Sequence, residues 1–423
     1  MKFRSTRHWM APAACVAMVL AGCGSDSKSA ATTPAPATPS TAGSTAGSTA
    51  ESTAESTAGT TAESAPGTIS DNLDPIKIMV TGTFSSPAIS YPQIPEGAQL
   101  AVDAVNASGG IKGHKVELDQ CNDGGDANTA AECIAQAVSD HVVSIIGSSN
   151  QFTAAAWPVL EKANIPWVGT SVISEDQLTD PMSFPLDGGT PAQFAAMTEY
   201  LVKHGSTNIA VTYADVSQGQ YMRRYFSSGI EAAGGKEVAA VPITVGAPDY
   251  TSVAAQVADA HPDAVVCACA PSDTAKLIVS LRQAGVNGPF GAAGGSFIVD
   301  DLTAIGDSAG TLIGNSGMLG ATDDDPGLAQ LKAEFANSNS DRKDELFVRS
   351  WLSIHVIADA LNVASTLDSN GLVDVLNTKT DLPTYGVVRK ISWSGTPTSV
   401  GPRIFSVDMF FSTWKDGAFV PTT

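Results

Sequence analysis

The clearest structural signal in this chain of 423 residues is the sequence GAQLAVDAVN at residues 97–106, which the sequence GGIKG follows at 109–113. Its apolar side chains repeat at intervals of three and four residues, the spacing of the buried face of an amphipathic helix. These side chains are Ala98, Ala101, Val102 and Val105. We therefore predict a helix over residues 96–107. The paired glycines should end it, because glycine readily adopts the left-handed conformation that follows many helices.

Strands and helices alternate on both sides of this helix. A strand is predicted at 76–80 before it and another at 116–118 after it, and the alternation restarts after residue 191. A long helix at 346–367 and short strands between 387 and 419 complete the pattern. Further strands are predicted at 142–146, 166–169, 209–213, 238–243 and 264–269. Such alternation indicates parallel sheets covered by helices on both faces, and two series in tandem indicate two lobes with a ligand cleft between their strand ends.

The N-terminus has the composition of a secretory signal. Three basic residues precede an uncharged run at 9–22, which ends in the sequence LAGC at 20–23. A run of about 14 residues is too short to span a bilayer as a helix, which needs about 20. We predict that residues 1–22 are removed as a signal peptide. Because LAGC resembles the lipobox of bacterial lipoproteins, we expect Cys23 to be lipidated and to hold the protein outside the cytoplasm on the cell membrane; an ordinary cleaved signal is the alternative.

A tether is predicted between this anchor and the folded body. Residues 23–73 consist mostly of Ser, Thr, Ala, Gly, Pro and Glu, with a four-residue repeat seen in STAG at 44–47 and STAE at 52–55. Such a segment cannot bury enough apolar surface to offset the entropy lost on ordering. We expect it to be a disordered spacer that lifts the folded body off the membrane.

Charge and motif content argue against several functions. The chain has 43 acidic and 23 basic residues, a formal net charge of −20, so nucleic acid is not an expected partner. The six histidines are scattered, without the paired spacing of a metal-binding helix. We predict no enzymatic activity, no metal and no cofactor, and we interpret Trp351 and His355 as core residues.

The cysteines outside the N-terminal segment fall into two pairs. Cys121 and Cys133 are predicted to form a disulfide, because an extracytoplasmic compartment permits oxidation. Cys267 and Cys269 stand two residues apart in a predicted strand, so their side chains share one face. We interpret them as two free, buried thiols, with an unusual bridge between them as the alternative.

From residue 77 to about 419 the chain resembles the extracytoplasmic solute-binding proteins of the branched-chain amino-acid (Leu/Ile/Val-binding) type, which have the type I periplasmic-binding fold. The motifs that carry the resemblance are GAQLAVDAVN with GGIKG, IIG at 145–147, Pro166, PDY at 248–250 and PDAVV at 262–266. The resemblance implies two Rossmann-like lobes joined by a hinge of three crossings. Lobe 1 would comprise residues 74–188 and 317–385, and lobe 2 would comprise 189–316 and 386–423.

The resemblance also implies a function. The lobes would close on a small solute, and a monomer would deliver it to an ABC importer made of a membrane permease and a cytoplasmic ATPase. The alternative is a ligand-sensing lipoprotein of the same fold that signals to a membrane receptor.

The resemblance further implies where the solute binds. In lobe 1 three loops would contact it, the second of them at a helix start where the family holds the ligand carboxylate. These residues are Phe84, Ser85, Ser86 and Tyr91, then Ser149, Asn150 and Gln151, then Ser171 and Ser174.

Lobe 2 departs from the family pattern. The positions of two family aromatic residues fall at Gln218 and Ala270, and the acidic partner of a ligand ammonium falls near Gly294, where no carboxylate stands. A buried ammonium without a partner is costly, so an amide, a carboxylate or another small polar organic molecule fits as well as an amino acid. Asp187 and Asp215 are candidate substitutes for the missing carboxylate.

Overall fold

A computed structural model describes most of the chain beyond residue 66. The described residues are 67–86, 90–148, 152–321, 323–338, 344–398 and 400–422, without the side chains of Ser217 and Gln218. The predicted signal peptide, Cys23 and most of the predicted tether lie outside these residues.

Strands and helices alternate through the described part of the chain. The strands are β1 Ile76–Gly82, β2 Val116–Asn122, β3 Ser144–Ile146, β4 Trp167–Val168, β5 Ser183–Phe184, β6 Asn208–Ala214, β7 Lys236–Ile243, β8 Ala264–Ala268, β9 Phe290–Ala293, β10 Leu312–Ser316, β11 Phe410–Lys415 and β12 Ala418–Pro421. The helices are α1 Gln93–Ala107, α2 Ala127–Ser139, α3 Trp157–Ala163, α4 Glu175–Thr179, α5 Gly189–Lys203, α6 Ser217–Ala232, α7 Thr251–Asp259, α8 Pro271–Gln283, α9 Val299–Ile305, α10 Ala329–Phe335, α11 Glu345–Val363 and α12 Ser369–Thr378.

The strands form two sheets, which confirms the predicted two-lobed α/β fold. The first sheet has the order β2-β1-β3-β4-β5 and is parallel throughout. The second has the order β12-β11-β10-β9-β8-β6-β7, in which only β11 and β12 run antiparallel to their neighbours. The chain passes between the two sheets three times: after β5, after β10, and between α12 and β11.

The regular sequence of helix α1 is explained by its buried face and by its contact with α11. It begins at Gln93, three residues before the predicted start, and its predicted apolar face is buried. A Cβ on Gly97 would lie only 2.9 Å from the carbonyl carbon of Phe347 in α11. Because only glycine lets the two helix backbones approach so closely, the motif encodes the contact between α1 and α11 as well as the helix itself.

Helix α11 forms the centre of the first core. It has the length and apolar composition to cross a membrane, but most of it is buried inside the fold. Since that burial is what a core helix requires, its composition is explained by packing alone. The prediction placed this helix at 346–367, whereas it ends at Val363.

The segment before β11 departs from the predicted lobe division. The sequence placed residues 386–423 in lobe 2, but Val387, Val388, Ile391 and Trp393 belong to the core of the first sheet. The indole Nε1 of Trp393 donates a hydrogen bond to the carbonyl oxygen of Pro185 at 2.8 Å. This buried contact holds 387–393 against the first sheet, and the regular strands of the tail begin only at Phe410.

Two disulfides join the described cysteines. Cys121 pairs with Cys133, and their Cα atoms are 5.7 Å apart. Cys267 also pairs with Cys269, with Cα atoms 5.3 Å apart. The interpretation of the second pair as free thiols is therefore wrong. Cys269 lies just past the end of β8, and this Cα separation is within the range that a disulfide bridges.

Candidate functional site

A cleft of about 890 Å³ lies where the carboxyl ends of strands from both sheets meet. The first sheet contributes residues that follow β1 and β4, and the second contributes the ends of β6, β8, β9 and β10. The start of α5 and the start of α11 form its floor, beside the first crossing. The carboxyl edge of parallel strands is where open α/β sheets bind their ligands, so the topology itself positions this cleft.

The first sheet lines the cleft with hydroxyl groups. Thr83, Tyr91, Ser171 and Ser174 all face it. The hydroxyl of Thr83 donates to Asp123 Oδ1 at 2.6 Å, and the Tyr91 N–H donates to the Thr83 carbonyl at 3.1 Å. The first bond ties Thr83 to the segment after β2, and the second holds Tyr91 beside Thr83 at the cleft wall.

The other predicted contacts of this loop are not among the described residues that line the cleft. Phe84, predicted to contact the solute, is buried in the first core and is not among the described lining residues. Its N–H donates to Asn122 Oδ1 at 2.8 Å, which ties this part of the loop to the end of β2. Ser85 and Ser86 are not among the described lining residues either.

Ser174 serves the fold as well as the cleft. It is the N-cap of α4, and its N–H donates to Gln177 Oε1 at 3.2 Å in a capping box. Its hydroxyl also donates to Gln177 Oε1, at 3.1 Å. Ser171 lies at the same edge without such a role. The predicted carboxylate-binding residues Ser149, Asn150 and Gln151 lie outside the described residues.

The second sheet lines the cleft mainly with small and apolar groups. Ala270, predicted as a contact, lines it beside Cys269. Gly294 is not among the described lining residues, although Ala293 and Gly295 on either side of it are. The side chain of Gln218 is not described, but the adjacent Gly219 lines the cleft. The small side chains leave this wall wide, so the shape of the solute is set mostly by what it meets on the other walls.

A buried cluster of charges forms part of the floor, and sequence reasoning missed its centre, Arg349. This side chain is 1% exposed, and its Nη1 donates to Asp187 Oδ1 at 2.7 Å. Its Nη2 pairs with Glu345, one helical turn earlier in α11. Burial alone would lower the pKa of Arg349, but the two carboxylates outweigh it and the pKa is raised above its ordinary value. The signal that could have revealed this site was the single arginine in α11, a long and mostly apolar helix.

Asn315 is a second residue that the sequence did not reveal. It stands near the end of β10, is 2% exposed and lines the cleft. Its Nδ2 donates to the carbonyl oxygen of Gln193 in α5 at 2.7 Å. This bond ties the second sheet to the helix that follows the first crossing.

The site offers binding rather than catalytic chemistry. Glu345 and Arg349 are the only charged residues that line the cleft within the described part of the chain, and they are paired with each other. No group of three or more His, Cys, Asp or Glu residues could hold a metal among the described residues. The sequence GDSAG at 306–310 has the spacing of a nucleophile elbow, but it forms a 3₁₀ turn after α9 instead of a strand-to-helix turn.

Two α/β lobes with a polar cleft between the ends of their parallel strands define a two-lobed binding protein. The sequence model of the periplasmic binding protein family matches residues 75–418, and the chain belongs to this family. The family consists of extracytoplasmic solute-binding proteins, not enzymes, so the predicted absence of enzymatic activity is confirmed by family membership.

Individual relatives agree with this assignment. The chain is 25% identical over 218 residues to Leu/Ile/Val-binding protein homolog 3 of Brucella melitensis, covering 50% of this chain and 59% of that relative. It thus spans under two thirds of that relative's length. An ABC transporter substrate-binding protein of Desulfitobacterium hafniense, solved in complex with Leu, superposes with a TM-score of 0.65 at 18% identity, covering 83% of this chain and 100% of the other. A leucine-binding protein of Thermotoga maritima superposes with a TM-score of 0.61 at 19% identity, covering 82% of this chain and 98% of the other.

Proposed function

We propose that this protein captures a small polar organic solute between its two lobes and delivers it, as a monomer, to an ABC importer in the membrane. The observation that carries the proposal is the cleft of about 890 Å³, lined by hydroxyl and amide groups at the carboxyl ends of parallel strands from both sheets. Pockets of about 300–1,000 Å³ are typical of small-molecule sites. Amino acids, amides and carboxylates are the solute classes that these groups suit.

Closure would rotate the lobes about the three crossings. We take lobe 1 as residues 74–188 with 317–393 and lobe 2 as 189–316 with 394–423, which moves one predicted boundary to follow the core contacts of Trp393. Hinges of this kind absorb the change in backbone angles while the packed lobes stay rigid. A solute that contacts both walls stabilises the closed form by its extra contacts there.

The ligand contacts that we propose follow the sequence prediction. Tyr91, Ser171, Ser174 and Ala270 support it by lining the cleft. Phe84, Ser85, Ser86, Ser149, Asn150, Gln151, Gln218 and Gly294 remain predictions.

Binding itself is tested with the purified folded body. A thermal-shift screen over amino acids, amides and short carboxylates should find a stabilising solute, and Tyr91→Ala should weaken its affinity about tenfold, or about 1.4 kcal/mol. Calorimetry measures the affinity, and a melting curve without solute shows whether the variant is folded. Glu96→Ala changes an exposed residue in the first turn of α1, outside the described lining residues, so it is the control and should bind normally. Failure of every solute to bind would reject the proposal.

Anchoring is a separate part of the proposal. It rests on LAGC at residues 20–23, the short apolar run before it and the polar tether after it. Cys23→Ser should move the protein from the membrane to the soluble fraction, because a lipidated cysteine is the proposed anchor. Fractionation and immunoblotting measure this. Continued attachment of the variant to membranes would refute the anchor without affecting the proposal on solute binding.

A further inference from the structure

A disulfide forms part of the cleft wall in the second sheet. Cys267 and Cys269 are joined, and Cys269 lines the cleft between Ala268 and Ala270. Cys267 is 0% exposed and belongs to a buried core of the second sheet, whereas Cys269 is only partly buried against that core. Cys269 is therefore the half of the bond that a small molecule in the cleft can reach.

Stability gives little reason for this bond. A disulfide stabilises a fold mainly by constraining the unfolded chain, and the effect grows with the length of the loop that it closes. Cys267 and Cys269 are two positions apart, whereas Cys121 and Cys133 are 12 apart. The shorter bridge thus contributes less to stability than the longer one, and its place in the wall points to a role in the cleft.

The bond instead fixes the shape of the wall. Strand β8 ends at Ala268, so Cys269 stands just past the strand, and the disulfide ties it to Cys267 in the core. Ala270, which follows, is the N-cap of α8 and also lines the cleft. A disulfide that holds a binding segment in one conformation raises affinity, because less ordering remains to be done when the ligand binds. Breaking the bond would return that cost to the solute.

A small thiol can break the bond by exchange. Disulfides react with thiolates at a rate that depends on access to the sulfur attacked, and here the reachable sulfur is Cys269 Sγ. Attack forms a mixed disulfide on Cys269 and breaks the bond to Cys267 Sγ, which gains a proton because burial disfavours a thiolate. A second thiolate attacks the mixed disulfide and releases Cys269, which is also protonated. Two small thiols are thereby oxidised to one disulfide, and the protein disulfide is reduced to two thiols.

We infer that Cys269 is a thiol–disulfide exchange site, at which a small thiol reduces the bond to Cys267 and thereby weakens solute capture. The exchange itself is independent of the proposed function, whereas its effect on solute capture rests on that function. The protein would bind its solute tightly in an oxidising compartment and more weakly where small thiols accumulate.

Two single variants test which sulfur is reachable. Cys267→Ala leaves a thiol on Cys269, and Cys269→Ala leaves a thiol on Cys267, so both lack the bond. Each purified protein is treated with dithiodipyridine, a neutral disulfide that releases a coloured product when a thiol attacks it. Cys267→Ala should react at least about tenfold faster, because the thiol of the other variant is buried. Melting curves show whether the variants are folded, and equal rates in two folded variants would overturn the inference.

The wild type provides a measurement that needs no variant to fold. The protein is treated with β-mercaptoethanol, its free thiols are alkylated with iodoacetamide, and peptide mass spectrometry identifies the labelled cysteines. Cys267 and Cys269 should be labelled in the folded protein. A bound solute should slow this labelling and leave that of Cys121 and Cys133 unchanged, because those two are not among the described lining residues. Absence of labelling at Cys267 and Cys269 would overturn the inference.

The effect on capture is measured by calorimetry with a solute that stabilises the wild type in the thermal-shift screen. The wild type reduced at Cys267 and Cys269 should bind it at least about tenfold more weakly than the oxidised protein. Cys267→Ala, in which the other disulfide is intact, should show a similar loss. Unchanged affinity in both would overturn the inferred effect on capture. If no solute binds the wild type, the proposed function fails together with that effect, and the two labelling experiments still decide whether Cys269 is an exchange site.

Discussion

Replacing Arg349 with Met should lower the free energy of unfolding by about 3–5 kcal/mol, the loss expected when one partner of a buried ion pair is removed. Arg349 is 1% exposed, and the Asp187 side chain that it contacts at 2.7 Å is 3% exposed. The variant would leave the Asp187 carboxylate buried with its main cation removed. Urea denaturation followed by circular dichroism measures the change.

Two controls separate the charge from general disturbance. Arg389→Met changes an exposed arginine whose guanidinium lies over the Phe410 ring at 4.1 Å, and it should cost less than about 1 kcal/mol. The double variant Arg349→Met with Asp187→Asn should regain at least half of the lost stability, because the buried carboxylate is then neutral. A single Arg349→Met variant as stable as the wild type would contradict the charge argument.

Gly317→Ala should lower the free energy of unfolding by about 1–3 kcal/mol, the range for overpacking at a close contact. Gly317 stands in the second crossing, and an added Cβ would collide with Asp187 Oδ2 and lie 2.8 Å from Asp187 Cγ. The carboxylate cannot move away freely, because it is bonded to Arg349. Thermal or urea unfolding reports the loss, which falls on the hinge of the proposed closure.

The chain offers a matched glycine for comparison. Gly295 also borders the cleft, and an added Cβ there would meet no atom within 4 Å, so Gly295→Ala should be neutral. Gly317→Ala should cost much less in a background of Asp187→Gly, because the Oδ2, Cγ and Cβ atoms that the added Cβ would meet are then all absent. Equal losses in both backgrounds would show that the strain lies elsewhere, and a loss for Gly295→Ala as large as that for Gly317→Ala would exclude a local clash.

The accuracy of the sequence prediction differs between the body and the tail. Helix α1 was placed within three residues of its start, because its periodicity depends on side chains one turn apart. The packing of the segment 387–393 against the first sheet was not indicated by the sequence, because it depends on Trp393 reaching Pro185, which is 208 residues away in sequence. Phe84 and Tyr91 are both aromatic residues of the same loop, and the sequence alone did not show that Phe84 is buried in the first core whereas Tyr91 lines the cleft.

Local patterns in the sequence were sufficient for the alternating strands and helices, for the two lobes and, through the motif at 97–113, for the family resemblance. These features depend on residues a few positions apart, where backbone geometry dictates which side chains share a face. The polar floor of the cleft was decided by tertiary structure. Arg349 meets Asp187 across 162 positions, and Asn315 meets the Gln193 carbonyl across 122. No local periodicity encodes such contacts, because they join residues more than a hundred positions apart that meet only in the folded chain.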